Sequence, residues 1–218
     1  MKDSRIDNIL FDLDGTLTDP KEGIVNSILY ALDKLEIQEK HIKELDAFIG
    51  PPLRDSFKKR YNLSEKLADK AMTLYREYFS EKGLYENEVY TGIEELLEFL
   101  YSHKYKLFVA TSKPTLFAER ILRYFHLDKY FIKTIGSNLD NTRTDKTEII
   151  SHVVSTYNLQ TNNSVMIGDR KHDIIGAKNN SMRSIAVTYG YGSLEEISLH
   201  KPDFIVNSCG ELKSLLFN

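Results

Sequence analysis

Apolar residues along this chain recur in two rhythms. Short β-rich runs occur at Ile9-Leu10-Phe11, Lys106 to Ala110, Phe131 to Ile135, Val165 to Ile167, Ile185 to Thr188 and Phe204-Ile205-Val206. Between most of them, apolar positions return at helical spacing. Leu96, Leu97 and Leu100 do so after Gly92, and Phe117, Ile121 and Leu122 after Pro114. Ile149, Ile150, Val153, Val154 and Tyr157 form a third stripe, with a shorter one at Ile174, Ile175 and Ala177. Strands alternating with helices over short connections predict an α/β fold whose parallel sheet is covered on both faces. Right-handed crossovers make such a sheet doubly wound. Residues 16–88 break the alternation. Ile24, Ile28, Leu29, Leu32 and Leu35 sit at helical spacing, Pro51-Pro52 interrupts, and a long helical run follows from Ser64 to about Lys82. No strand is expected there. The organisation predicted is a core of 1–15 and 89–218 with an all-helical insert, 16–88, after the first strand.

Composition narrows the function. The 218 residues are 41% hydrophobic and carry 29 basic against 32 acidic side chains, a net charge of −3. That balance, with no basic stripe, argues against a nucleic-acid partner. No run approaches the roughly 18 apolar residues of a membrane span. Lys2-Asp3-Ser4-Arg5 has no apolar run behind it, so a secretory leader is not expected. Cys209 is the only cysteine, which excludes an internal disulfide and agrees with a reducing cytoplasm. No base-and-orienter set accompanies it for thiol chemistry.

The chemistry-bearing residues cluster at strand ends. Phe11-Asp12-Leu13-Asp14-Gly15-Thr16 closes the first strand, and period-2 alternation puts Asp12 and Asp14 on one side with Leu13 turned away. Ligands of open α/β sheets bind at these carboxyl ends, so paired carboxylates there differ from an ordinary Asp-Gly turn. The strand ending at Ala110 continues into Thr111-Ser112-Lys113, hydroxyls that suit either a helix cap or a phosphate at a helix N-terminus. Asp145 and Glu148 read as a capping box around Lys146. A cation in a first helical turn opposes the helix dipole, so Lys146 is either a solvated surface lysine or the partner of an anion. Val165-Met166-Ile167-Gly168-Asp169 adds a third carboxylate, itself a candidate N-cap, with Asp173 one turn on. Asp12, Asp14, Asp169 and Asp173 on one rim would repel one another and a phosphate unless cations intervened. An all-oxygen ligand set suits Mg²⁺.

Together these residues resemble the haloacid-dehalogenase superfamily over essentially the whole chain. DLDGT resembles its first motif, Thr111 its second, Lys146 its third and Gly168 to Asp173 its fourth. The resemblance implies a Rossmann-like core and a Mg²⁺-dependent phosphatase of small phosphorylated metabolites. In it Asp12 attacks phosphorus, Asp14 serves as acid then base, and Thr111 and Lys146 hold the phosphoryl oxygens, with Ser112 and Lys113 as further phosphate contacts. It also implies that Asp12, the Asp14 carbonyl and Asp169 hold the metal, supported by Asp173. The insert matches the cap of the phosphoglycolate-phosphatase-like branch, and Gly50-Pro51-Pro52-Leu53-Arg54 resembles its site-facing loop. Arg54 is then a candidate substrate contact or an exposed arginine opening a helix. Asn141-Thr142-Arg143-Thr144-Asp145-Lys146 departs from the Lys-Pro-x-Pro form of that branch. It is similar to a 5′-nucleotidase-like one, and Arg143 becomes a second substrate candidate. A phosphomutase and a catalytically silent phospho-ligand binder are the alternatives. A cytoplasmic monomer or homodimer is expected.

Overall fold

A computed structural model describes residues 6–140 and 142–217 of the chain. The Lys2-to-Arg5 start and Asn141, both used above, lie outside the described residues. The strands and helices run in the order β1 (Asn8–Phe11), β2 (Thr18–Asp19), α1 (Lys21–Lys34), α2 (Leu53–Tyr61), α3 (Glu65–Tyr78), β3 (Glu88–Val89) and α4 (Ile93–Ser102). They continue through β4 (Lys106–Pro114), α5 (Thr115–Tyr124), β5 (Lys133–Ser137), α6 (Lys146–Tyr157), β6 (Ser164–Gly168) and α7 (Lys171–Asn179). The chain closes with β7 (Arg183–Val187), α8 (Leu194–Leu199), β8 (Phe204–Val206) and α9 (Cys209–Phe217). None of the described helices is long and apolar enough to cross a membrane.

The chain divides into two compact units, one running to Asp19 and resuming at Val89, the other Pro20–Glu88. The first is built on a six-stranded sheet in the order β5-β4-β1-β6-β7-β8, with every pair parallel. Its central strands are buried end to end, as a sheet with helices on both faces requires. Leu10, Phe108, Ile135 and Met166 form one core with Ile149, Ile150 and Val153 of α6, the stripe visible in the sequence. This is the doubly wound α/β fold predicted from the alternation, and the Rossmann-like core that the resemblance implied. The fifth strand is displaced from its expected span. Phe131 bonds back to Asp128 in a tight turn; the exposed Ile132 donates its N–H to the Leu107 carbonyl at 2.8 Å, and the strand itself runs from Lys133.

The second unit is helical. α1 buries Ile24, Ile28 and Leu32, and an aromatic chain of Phe48, Phe57, Tyr75 and Phe79 runs through the core, with Tyr75 stacked on Phe79 at 5.3 Å. Ser64 caps α3, and Asn62 in the left-handed region ends α2. The helical run expected to reach Lys82 is α-helical to Tyr78 and finishes in a π-turn, Phe79–Gly83. Two short strands, β2 and β3, lie at the ends of the segment expected to hold none; Thr16 to Asp19 group with the sheet rather than the helices.

Candidate active site

β1, β4 and β6 are neighbours, and their register sets Phe11 beside Val109 and Ile167. All three strands therefore release their next residues at one edge. Asp12 follows β1, and Asp169 follows β6. Thr111, Ser112 and Lys113 lie where β4 shifts register between Ala110 and Pro114, an irregularity that re-aims side chains at a strand end. Connections from β1 and β6 lead to opposite sides of the sheet, the switch point at which open α/β sheets bind ligands. Asp12 is pinned by its own backbone: its N–H donates to the Ile167 carbonyl at 2.8 Å, and the Leu13 N–H donates to its Oδ1 at 2.7 Å. Gly15 turns the chain away at φ +85°, where a Cβ would lie 2.3 Å from Asp169 Oδ2.

Two lysines divide the carboxylates. Lys146, the first residue of α6, is 4% exposed and donates to the Ala110 carbonyl at 2.8 Å, Asp173 Oδ1 at 2.6 Å and Asp12 Oδ1 at 2.8 Å. Those bonds use all three ammonium donors. Burial opposes the Lys146 charge, but Asp12 and Asp173 hold its pKa above the ordinary lysine value. Lys113 grips both oxygens of Asp14, at 3.0 and 2.8 Å. Burial nevertheless pushes the Asp14 carboxyl up, with Lys113 offsetting part of it. Asp173 spends its second oxygen on the Arg170 N–H at 3.1 Å, and burial raises its pKa too. Asp169 Oδ2 accepts from the Tyr191 N–H at 2.7 Å, while its Oδ1 is buried with no hydrogen-bond partner among the described residues. Burial, reinforced by Asp173 and Asp12, pushes Asp169 up to about 8.

This arrangement fits a cation. Oxygens of Asp12, Asp169 and Asp173 lie within 4.8 Å of one another. Four carboxylates less two ammoniums leave an excess of two negative charges at the edge when all are ionised. An orphaned carboxylate oxygen in an all-oxygen donor set is what a hard divalent ion would satisfy.

The other candidates are placed as follows. Thr111 accepts from the Lys113 N–H at 3.3 Å, and Ser112 donates to the Thr144 carbonyl at 3.1 Å, tying β4 to the segment before Lys146. Neither caps α5, whose N-cap position is Pro114. Asp169 does not cap α7, where Arg170 holds that position; Asp145 does cap α6. Arg143 has φ +52° and turns its guanidinium onto the Gly136 carbonyl and Asn138, at 3.1 and 3.2 Å. Arg54 belongs to the helical unit, where it pairs with Asp69 and Glu65, each at 2.7 Å. Sequence reasoning missed the turn after β7. Tyr189 donates its hydroxyl to the Thr16 carbonyl at 3.1 Å, and the Tyr191 hydroxyl bonds to Asp19. Its only sequence signal is tyrosine alternating with glycine past a strand, and its contact with Asp169 is made by backbone.

Residues 9–187 match a family of haloacid dehalogenase-like hydrolases. The chain belongs to that family. As a haloacid dehalogenase-like hydrolase it is 47% identical, over 211 residues, to a 5′-nucleotidase of Pseudomonas aeruginosa, spanning 97% of this chain and 94% of that protein. It is 29% identical to a phosphoglycolate phosphatase of Vibrio parahaemolyticus across 94% of this chain and 93% of the relative. The solved structure of a predicted phosphatase from Clostridium acetobutylicum matches with a TM-score of 0.95 at 45% identity, covering 98% of this chain and 99% of that one. Such relatives, aligned along nearly the full length, make this hydrolase a phosphatase.

Proposed function

We propose that this phosphatase hydrolyses small phosphate monoesters with Mg²⁺, passing through a phosphoryl group carried on Asp12. One observation carries the reading: a buried Asp12 held by Lys146 beside an Asp169 oxygen with no partner among the described residues, with Asp14 gripped separately by Lys113. Asp12 and Asp169, with the Asp14 backbone carbonyl and support from Asp173, would hold the ion. When bound, Mg²⁺ supplies positive charge against the phosphoryl oxygens and the crowded carboxylates. An Asp12 oxygen then forms a bond to phosphorus as the ester P–O bond breaks, and Asp14 gives its proton to the departing oxygen. Burial suits Asp14 to that role by favouring its protonated form. Asp14 next takes a proton from water, which attacks phosphorus and releases phosphate from Asp12. Thr111 and the Lys146 ammonium stabilise the transferring oxygens.

These residues meet only phosphorus, its oxygens and the ion, so choice among esters falls to others. We assign it to the helical unit acting as a cap, with Arg54 as its first candidate and Arg143 as the core alternative. The 5′-nucleotidase relative makes nucleoside monophosphates the first esters to try. Lone Cys209 supports action in a reducing cytoplasm. The deciding experiment is phosphate release from a panel of phosphorylated metabolites, with Mg²⁺ and with excess chelator. Release only with Mg²⁺, abolished by Asp12→Asn, is expected. Full release in chelator would overturn the metal reading, and an isomerised sugar phosphate without free phosphate would assign a mutase.

A further inference from the structure

The turn Tyr189–Gly192 is pinned twice to the segment that leaves β1, by Tyr189 at the Thr16 carbonyl and by Tyr191 at Asp19. Between those pins the backbone passes so close to the site that a Cβ on Gly190 would lie 2.2 Å from the Gly15 carbonyl oxygen and 2.4 Å from Asp169 Oδ2. No side chain other than hydrogen fits there. The same stretch brings the Tyr191 N–H to Asp169 Oδ2, in a carboxylate with no measurable exposure. We infer that this turn is a mould for the cation site: the Tyr191 amide occupies one oxygen of Asp169 and leaves the other as its single ligand atom. The inference rests on the metal reading above and adds a positioning group that no side-chain motif contains.

The chemistry follows from oxygen accounting. A lone carboxylate offers two oxygens and can bind an ion through one or both. Mg²⁺ demands near-octahedral geometry and short bonds, which a chelating carboxylate with its narrow bite strains. A backbone amide on Oδ2 occupies one of its lone pairs, which disfavours chelation, and it sets the positions that Oδ1 can occupy. Asp173 makes the contrast: Lys146 and the Arg170 N–H each bond one of its oxygens, so neither is left without a protein partner, unlike Asp169 Oδ1, which has none among the described residues. A buried carboxylate held by one amide and otherwise unpaired is costly in the metal-free protein. The turn holds Asp169 in that state rather than letting it rotate onto a protein donor.

The test uses full-length protein stripped with chelator, titrated with Mg²⁺ alone in a calorimeter, with metal-free melting recorded alongside. Gly190→Ala should weaken Mg²⁺ binding by about 10–100-fold, the usual loss when an outer partner of a metal ligand is disturbed. Tyr191→Phe keeps the amide and should bind within about twofold of wild type. Wild-type affinity in a folded Gly190→Ala protein would overturn the inference. So would a loss in Tyr191→Phe as large as that in Gly190→Ala, because the hydroxyl and not the amide would then be responsible. If Gly190→Ala does not fold, hydrogen exchange on wild type decides. The Tyr191 amide should be protected without metal and slower still with Mg²⁺, and unprotected exchange in both states would overturn the mould. Wild-type protein that binds no Mg²⁺ would instead remove the metal reading underneath.

Discussion

Lys146 shows how far a single position can depart from its local rule. Judged as a cation in a first helical turn, its removal is expected to be neutral or slightly stabilising, worth about 0.3–1 kcal/mol. The structure reverses the sign. Its ammonium is the shared partner of Asp12 and Asp173 in a buried cluster, and breaking a buried ion pair costs on the order of 3–5 kcal/mol, less what protonation of the carboxylates recovers. Lys146→Ala should therefore lower the melting temperature of metal-free protein as well as turnover; unchanged melting would show that the ion pairs contribute nothing net. Lys113 departs in a different way. Expected at phosphate, it lies on Asp14 instead. Lys113→Met should then slow alkyl phosphates, whose leaving oxygen needs a proton, more than p-nitrophenyl phosphate, whose leaving group does not. The ceiling is the ~10²–10⁴-fold that general acid–base help is worth. Equal slowing of both esters in steady-state assays would return Lys113 to phosphate binding. These lysines were readable as candidates from TSK and the Asp145 turn. Their partners were not, because Asp12, Asp14 and Asp173 are far away in sequence and nothing local states which lysine meets which carboxylate.

At the scale of elements, stripes of apolar residues were readable wherever one helix face packs against the sheet, as in α4 to α7. α8 escaped because it is six residues long and exposes Leu194 and Leu199 at its ends, leaving no stripe to detect. Yet α8 supports the site. Its Glu196 accepts from Arg170 Nε at 3.0 Å, Arg170 Nη2 at 3.3 Å and the Lys171 N–H at 3.0 Å, bracing the first turn of α7 beside Asp169 and Asp173. Burial works against the Glu196 charge, but these donors hold its carboxyl below the ordinary glutamate range. Glu196→Ala should fray that turn and lower the melting temperature by about 2–4 °C, the shift that ~1 kcal/mol produces in a domain of this size. Discounting for partial exposure keeps the figure at that level. Calorimetric scans of both proteins would check it, and an unaltered transition would reduce Glu196 to a surface residue. The turn at Tyr189 was unreadable for another reason. A peptide N–H acts there, and every residue but proline has one.

For the molecule as a whole, the metal-free site makes stability depend on pH in one direction. Asp169 titrates near 8 in the folded protein, against about 3.9 in an unfolded chain, and Asp14 and Asp173 are also raised. The folded state thus binds more protons, so their contribution is fully present below about pH 4 and is lost as pH rises towards 8. Melting temperature in chelator should fall across that window, and Mg²⁺ should flatten the fall; a rise with pH in chelator would contradict the burial of these carboxylates. The alternation of strands and helices announced a parallel sheet, but strand order is a matter of long-range pairing and was not readable. That order has a consequence in time. β1 sits between β4 and β6, with Asn8 beside Lys106 on one side and Ser164 on the other. Synthesis at about 5–20 residues per second delivers β6 roughly 8–30 s after Asp12 has left the ribosome. Until then the edge of β1 that faces β6 stays open, the kind of surface on which foreign strands dock. Asp12, the proposed nucleophile, is among the first residues made, yet a nascent chain stalled before Ser164 lacks the strand whose Ile167 carbonyl fixes it.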